Sequence, residues 1–156
     1  MLALASELGV GPVVAPPPAP AAVGYYSTVV QKKIYQHFTF TSKEIARCAA
    51  VTPGLTCTIH KTASATRTIQ LDLGLSRAAV AAHLQISSAA TQSVSVQCTS
   101  GKLKAGQVLV AYSVGTRYTY KIERHMTSPP YDYVIGTSSL LSAFDPSPAG
   151  ISCRVL

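Results

Sequence analysis

The chain has 156 residues, 47% of them hydrophobic with a large share of alanine, so we expect one domain with a modest core and an appendage. Its 13 Lys and Arg against 6 Asp and Glu give a net charge of +7, but Lys32-Lys33 is the only adjacent basic pair, and this dispersion disfavours nucleic-acid binding. No uninterrupted apolar run approaches the roughly 20 residues that cross a bilayer, which argues against a membrane protein.

Residues 1–24 differ in composition from everything that follows them. Their first part carries six aliphatic residues: Leu2, Leu4, Leu8, Val10, Val13 and Val14. Residues 16–22 contain only Pro and Ala, and because proline fixes φ we expect an extended, semi-rigid spacer there. The basic residues that open a secretory signal are missing, so both a mature N-terminus and a signal remnant stay open for residues 1–15.

The six aliphatic residues have nothing of their own to pack against. Disordered tails are usually poor in such side chains. We therefore predict an extended N-terminal arm, residues 1–24, whose aliphatic residues bind in a groove of a partner protein. A tail without a binding role is the alternative.

Residues 25–156 form the predicted β domain, and its first half contains two long strands and a helix. β-branched and aromatic residues predict a strand over Tyr26–Thr41, and clean alternation predicts another over Leu55–Leu73 with a bulge at 63–65. Ser76 is a candidate N-cap for a short helix. The buried side of that helix would consist of Val80, Ala81 and Leu84.

The second half of the domain reads as short strands. Alternation predicts a strand over Thr91–Thr99 and a hairpin of Gln107–Val114 with Thr116–Arg124, hinged at Gly115. Three further strands are predicted over Tyr133–Gly136, Ser139–Phe144 and Ile151–Val155, with a loop over Asp145–Gly150. The sum is a mostly β fold, an antiparallel sandwich or twisted sheet of about eight strands with one short helix.

The four cysteines, Cys48, Cys57, Cys98 and Cys153, show neither a C-x-x-C motif nor the Cys/His spacing of a zinc site. Two disulfides are the natural interpretation, and they indicate an oxidising, extracytoplasmic compartment. Of the three possible connectivities we favour Cys48–Cys57 with Cys98–Cys153. The first pair flanks a strong turn signal at residues 52–54, and the second would tie the C-terminal strand to the middle of the sheet.

The chain offers little that would support catalysis. No G-x-S-x-G motif occurs, and the four histidines, His37, His60, His83 and His125, are too widely spaced to form a metal-ligand pair. The acidic residues are isolated, and an ordinary ion pair with Lys43 or Arg47 would explain Glu44. We therefore predict a protein that is not an enzyme and that binds no cofactor and no metal.

Five stretches together resemble a group of small secreted actinobacterial proteins: Cys57–Thr62, Leu75–Leu84, Ser93–Cys98, Leu103–Ile122 and Leu141–Cys153. Within that group, residues 45–156 are similar to the adaptor subunits of umbrella toxin particles. The resemblance implies an adaptor that joins a repeat-containing toxin chain to a lectin-like subunit, with its extended N-terminus in a cleft of the lectin. It implies no catalytic residues.

Our leading hypothesis is a non-catalytic secreted adaptor in an antibacterial toxin particle. Its β domain would bind the toxin chain and its arm the lectin-like subunit, with no nucleic acid and no membrane as partner. One alternative is a secreted protease inhibitor that uses an exposed loop at Thr127–Tyr131. Another is a module that binds an anionic cell-wall polymer through scattered Lys, Arg and Tyr side chains, which would make binding strongly salt-dependent.

Overall fold

The structure is a computed structural model that describes residues 11–12, 14–19 and 22–156. Within these residues the elements in chain order are β1 (Gly24–Ala49), β2 (Thr56–Thr66), β3 (Thr68–Ile69), α1 (Arg77–Leu84), β4 (Thr91–Lys102), β5 (Val108–Ser128), β6 (Tyr131–Thr137) and β7 (Leu141–Val155). The prediction of a mostly β, antiparallel fold with one short helix is confirmed, with seven strands in the described part where about eight were expected. None of the described helical structure is long and apolar enough to cross a bilayer.

Strand β5 is the central strand of the larger sheet and pairs with β1, β6 and β7. β1 pairs with one side of it over almost its whole length, from Gly24 opposite Thr127 to Ala49 opposite Val108. β6 and β7 pair in succession with the other side, and β3 pairs with β7. The remaining strands, β2 and β4, form a separate two-stranded ribbon.

Two hydrophobic cores pack on opposite faces of β5, because successive side chains of a strand point to opposite sides. Leu109 and Ala111, at odd positions, belong to the core under the ribbon, whose other buried members are Ala46, Ala50, Cys57, Ile59, Val96, Cys98 and Leu103. Tyr120 and Ile122, at even positions, belong to the core under α1, with Ile69, Val80, Ala81, Leu84, Leu141 and Ala143. The odd face of β5 is therefore covered by the ribbon at one end of the sheet, and α1 covers the even face at the other.

The predicted disulfide connectivity is confirmed. Cys48–Cys57 joins the end of β1 to the start of β2, with 5.8 Å between the Cα atoms. Cys98–Cys153 joins β4 to β7, with a Cα separation of 6.3 Å. β1 and β7 flank β5 on its two sides, so the ribbon is cross-linked to both neighbours of β5.

The predicted helix is also confirmed. The Ser76 hydroxyl accepts a hydrogen bond from the Ala79 amide at 3.2 Å, which satisfies one of the free amides of the first turn. The helix ends at Gln85, whose φ of 61° is left-handed, and Val80, Ala81 and Leu84 are buried as expected.

The hairpin predicted at Gly115 is wrong, because β5 runs without interruption from Val108 to Ser128. Gly115 is not part of a turn; it allows the backbone of β7 to come close to that of β5. A Cβ atom there would collide with the carbonyl oxygen of Asp145 and lie 2.7 Å from the Cα of Pro146. Glycine is the residue that lets two backbones come this close.

The loop predicted over Asp145–Gly150 is a bulge inside one strand, β7. Pro146 is opposite Gly115 and Ile151 is opposite Ser113, so four β7 residues bulge out against the single residue Val114. A strand can continue through prolines at such a bulge, where ladder hydrogen bonds are already missing.

The strand predicted over Leu55–Leu73 is divided at Arg67, and the bulge predicted at 63–65 is absent because the register with β4 is regular from Thr58 to Thr66. Arg67 is buried. Its guanidinium donates to Asp145 Oδ1 at 2.7 Å, to the Ala89 carbonyl at 2.9 Å and to Gln92 Oε1 at 3.0 Å. These charge-assisted bonds compensate the burial of the cation and separate β2 from β3.

Candidate binding surfaces

Most of the predicted partner-binding residues lie outside the described residues: Leu2, Leu4, Leu8, Val10 and Val13. Val14 is described, and 86% of its surface is exposed. The neighbouring spacer residues 15–19 are exposed as well. The described part of the arm therefore presents its surface to solvent.

The arm joins the domain at one end of the large sheet. Gly24 is the first residue of β1 and lies opposite Thr127, whose hydroxyl donates to the Gly24 carbonyl at 3.3 Å. Thr127 also pairs with Asp132 of β6, on the other side of β5. The root of the arm is therefore beside the turn that links β5 to β6.

Large apolar and aromatic side chains are exposed at this end, and we call them the arm-end surface. Between 43% and 62% of each residue's surface is accessible, and the set comprises Tyr25, Tyr26, Tyr131, Tyr133, Val134 and Ile135. Four of the six are on β6, which pairs only with β5 among the described strands. The set is divided between the two faces of this end, because Tyr25 and Tyr26 are successive residues of one strand and their side chains point to opposite sides. Exposed apolar side chains gathered at one end of a soluble domain indicate an interaction site.

A polar cluster crosses the three strands at the arm end. The ring of Tyr26 stacks on His125 with 4.7 Å between centroids, and its hydroxyl donates to Asp132 Oδ2 at 2.6 Å. His125 Nδ1 lies 3.1 Å from Asp132 Oδ1. Its Nε2 is buried, 3.3 Å from Glu123 Oε2, without the alignment of a hydrogen bond.

The hydrogen bond between Tyr26 and Asp132 changes the acidity of both groups. The donated bond stabilises the carboxylate, which lowers the pKa of Asp132, and the same bond raises the pKa of Tyr26 because the hydroxyl must keep its proton to donate. The cluster therefore links β1 to β6 most firmly where tyrosine is neutral and aspartate is ionised.

The grouping of Glu123, His125 and Asp132 was not predicted, since the sequence analysis treated these carboxylates as isolated. Glu123 and His125 are two positions apart on a strand and so share a face, a signal that was available. Asp132 joins them only through the pairing of β6 with β5. Within the described residues no group of three or more His, Cys, Asp or Glu side chains is arranged to hold a metal ion.

A second surface feature lies where the sheet is most irregular, and we call it the waist cleft. Residues bulge out of both strands that flank β5 there: 40–43 of β1 opposite Ser113, and 147–150 of β7 opposite Val114. The β1 bulge helps to enclose a cleft of about 260 Å³.

Aromatic rings and a cation line the waist cleft. Phe40 stacks on Phe144 at 4.8 Å, and Phe38 meets Phe144 edge-on at 6.1 Å. The guanidinium carbon of Arg117 lies 5.1 Å from the centroid of the Phe38 ring, within cation–π distance. Phe38 and Phe40 were predicted on a strand, but Phe144 comes to them only through the pairing of β7 with β5.

The loop considered for protease inhibition has little free length. Thr127 and Ser128 belong to β5 and Tyr131 begins β6, so only Pro129 and Pro130 connect the two strands. A two-residue turn between paired strands cannot present an extended segment to a protease cleft. The geometry therefore disfavours this alternative.

These features define a disulfide-linked antiparallel β protein with an exposed aromatic surface at the root of an N-terminal arm. Comparison of the chain with models of known protein families, with curated proteins and with solved structures gave no match.

Proposed function

We propose that the protein is a non-catalytic secreted adaptor that links two subunits of an antibacterial toxin particle. In this proposal the arm inserts into a cleft of a lectin-like subunit, and the β domain binds a repeat-containing toxin chain. The observation that carries the proposal is the arm-end surface, because exposed aromatic side chains surround the point where the apolar arm leaves the domain.

The position of this surface supports a partner that contacts arm and domain together. A partner bound to Leu2–Val14 through the spacer is held near β6, where the tyrosines can bury apolar area and still hydrogen-bond at their hydroxyls. The second contact needs little extra ordering once the first has formed, since linked sites act at a high effective concentration.

The two disulfides support the extracytoplasmic part of the proposal. Such bonds persist in oxidising compartments and are rare where thiols are kept reduced. Both cross-link the ribbon to the sheet. Disulfides add stability to a small domain of this kind, because each of its two hydrophobic cores is limited in size.

The test is retention of secreted proteins by immobilised variants, with identification by mass spectrometry. Four proteins are compared: the full chain, a chain without residues 1–22, the double variant Tyr133→Ser/Ile135→Ser, and a matched control, Leu71→Ser/Val155→Ser. Leu71 and Val155 are about as exposed as Tyr133 and Ile135 but lie outside the arm-end surface.

We expect the full chain and the matched control to retain a protein with a lectin-like sequence. Removal of the arm should abolish retention, and the arm-end variant should lower it. Equal retention by the truncated chain would show that the arm is not the docking element. Retention of proteases alone, followed by their inhibition, would favour the inhibitor alternative.

A further inference from the structure

Three cations lie together on the part of the large sheet that the ribbon does not cover. Arg117, Thr119 and Lys121 are at odd positions of β5, and Lys33 of β1 lies opposite Thr119. Lys33 is therefore diagonal to both Arg117 and Lys121, a placement that brings like charges within reach of one another. We call Lys33, Arg117 and Lys121 the basic face.

The acidic groups of the described chain are engaged elsewhere. Glu44 pairs with Arg47 and Asp145 with Arg67. Asp72 accepts from the Leu73 amide, Asp132 accepts from the Tyr26 hydroxyl, and Glu123 Oε2 lies 3.3 Å from His125 Nε2. Among the described residues, none of the three cations of the basic face has an ion-pair partner. An anionic group of a ligand would therefore relieve their mutual repulsion without competing with an acidic side chain of the described chain.

The basic face and the waist cleft share Arg117. Its guanidinium lies over Phe38, at the border between the cations and the aromatic floor of the cleft. Ser42 and Thr68 also line the cleft, and their hydroxyls can donate hydrogen bonds to carboxylate or carbonyl oxygens. The combined surface is complementary to a ligand that carries negative charges next to an apolar ring.

We propose that the basic face and the waist cleft together bind an acidic segment of a partner protein, with an aromatic side chain of that segment in the cleft. The aromatic rings of the cleft would make no favourable contact with phosphate groups, whereas they can pack against an aromatic side chain. A phosphate polymer also usually binds a longer row of cations than these three. Both features favour an acidic peptide over a phosphate polymer as the ligand. This site is separate from the arm-end surface and does not depend on the proposed role of the arm.

The test uses the full chain and three probes: a fluorescent decapeptide of Asp and Glu with one central Phe, the same peptide with Ser in place of Phe, and inorganic polyphosphate. Binding is measured by fluorescence anisotropy, with unlabelled polyphosphate as competitor, at about 50 mM and about 300 mM salt, since screening weakens exposed charge pairs. The variants are the triple Lys33→Gln/Arg117→Gln/Lys121→Gln and the single Phe38→Ala.

A matched control removes the same net charge from the ribbon and the turn that follows it, Lys61→Gln/Lys102→Gln/Lys104→Gln, where all three side chains are exposed. We expect the basic-face triple variant to weaken binding of the Phe peptide by about tenfold or more and the ribbon control by less than about twofold. Phe38→Ala should remove the advantage of the Phe peptide over the Ser peptide. Thermal unfolding of each variant checks that the fold is kept.

Two outcomes would overturn the proposal. If both triple variants weaken binding equally, net charge alone attracts the probes and the basic face is no site. If polyphosphate competes as well as the Phe peptide and Phe38→Ala changes nothing, the surface binds anionic polymer and the aromatic side chain has no place in it. Neither outcome affects the role proposed for the arm, which is tested by removal of residues 1–22.

Discussion

Tyr26 and Asp132 belong to strands β1 and β6, which do not pair with each other, yet the Tyr26 hydroxyl donates to Asp132 Oδ2 at 2.6 Å across the intervening strand β5. The stacking of Tyr26 on His125 of β5 completes a bridge over three strands. This bridge lies at the root of the arm, so its protonation state bears on the surface that we assign to partner binding.

Tyr26→Phe should destabilise the protein near neutral pH and lose this effect in acid. The bond lowers the pKa of Asp132 in the folded state, so its contribution is present above the unfolded pKa of aspartate and lost as pH falls through the lower folded value. Urea unfolding of wild type and variant between about pH 7 and about pH 2 measures the difference. Tyr35→Phe, at another exposed tyrosine of β1, is the control, and a pH-independent difference for Tyr26→Phe would contradict the assignment.

Removal of the disulfides should reveal unequal contributions. The Cys98–Cys153 bond closes a loop with a sequence separation of 55, worth roughly 4 kcal/mol in the chain-entropy model, and Cys48–Cys57 closes one of 9, worth roughly 2.6 kcal/mol. We expect Cys98→Ser/Cys153→Ser to lower the free energy of unfolding more than Cys48→Ser/Cys57→Ser. Equal losses in urea titrations would show that loop length does not govern the stabilisation here.

Gly115→Ala should destabilise the fold by about 2 kcal/mol or more, since the added methyl group meets the Asp145 carbonyl oxygen and forces β7 away from β5. Gly101→Ala is a suitable control because nothing lies within 4 Å of the corresponding Cβ position. Thermal unfolding of both variants measures the difference. An unchanged melting temperature for Gly115→Ala would mean that the two strands separate without cost.

Tyr120→Phe should be less stable than wild type at neutral pH by about 1 kcal/mol, because the buried hydroxyl donates to the Gln70 carbonyl. Burial raises the pKa of Tyr120 to about 12. A raised folded pKa means that wild type keeps its full stability below pH about 10 and loses it as pH rises toward 12. The difference in free energy of unfolding between the two proteins should therefore stay constant up to about pH 10 and narrow above it as pH rises toward 12. A difference that stays constant above about pH 10 in urea titrations would contradict this assignment.

Local signals in the sequence predicted the features that depend on neighbouring residues. Ser76 caps the helix and Val80 and Leu84 bury one side of it, as the pattern of residues 76–84 indicates. The turn at residues 52–54 brings Cys48 and Cys57 together, and with that pair assigned only Cys98 and Cys153 remain. In each case the physical cause lies within about a dozen residues of the chain.

The errors arose where distant strands decide the outcome. Glycine is typical of turns, but Gly115 instead leaves room for the backbone of Asp145 and Pro146 in β7. β1 continues past Thr41 through polar residues to Ala49 because β5 supplies hydrogen-bonding partners beside it. The waist cleft and the basic face depend on the register of β1 and β7 against β5, which no local pattern encodes.

The arm is continuous with β1, and β1 is paired with β5 up to its far end, where Cys48 bonds to Cys57. A pull on the arm along the strand direction therefore loads many backbone hydrogen bonds at once in shear and does not peel them one by one. At the far end of β1 the Cys48–Cys57 disulfide links the strand to the ribbon, and the Cys98–Cys153 disulfide links the ribbon to β7. Tension on the arm is therefore transmitted into the sheet and the ribbon before β1 can be pulled out of the domain.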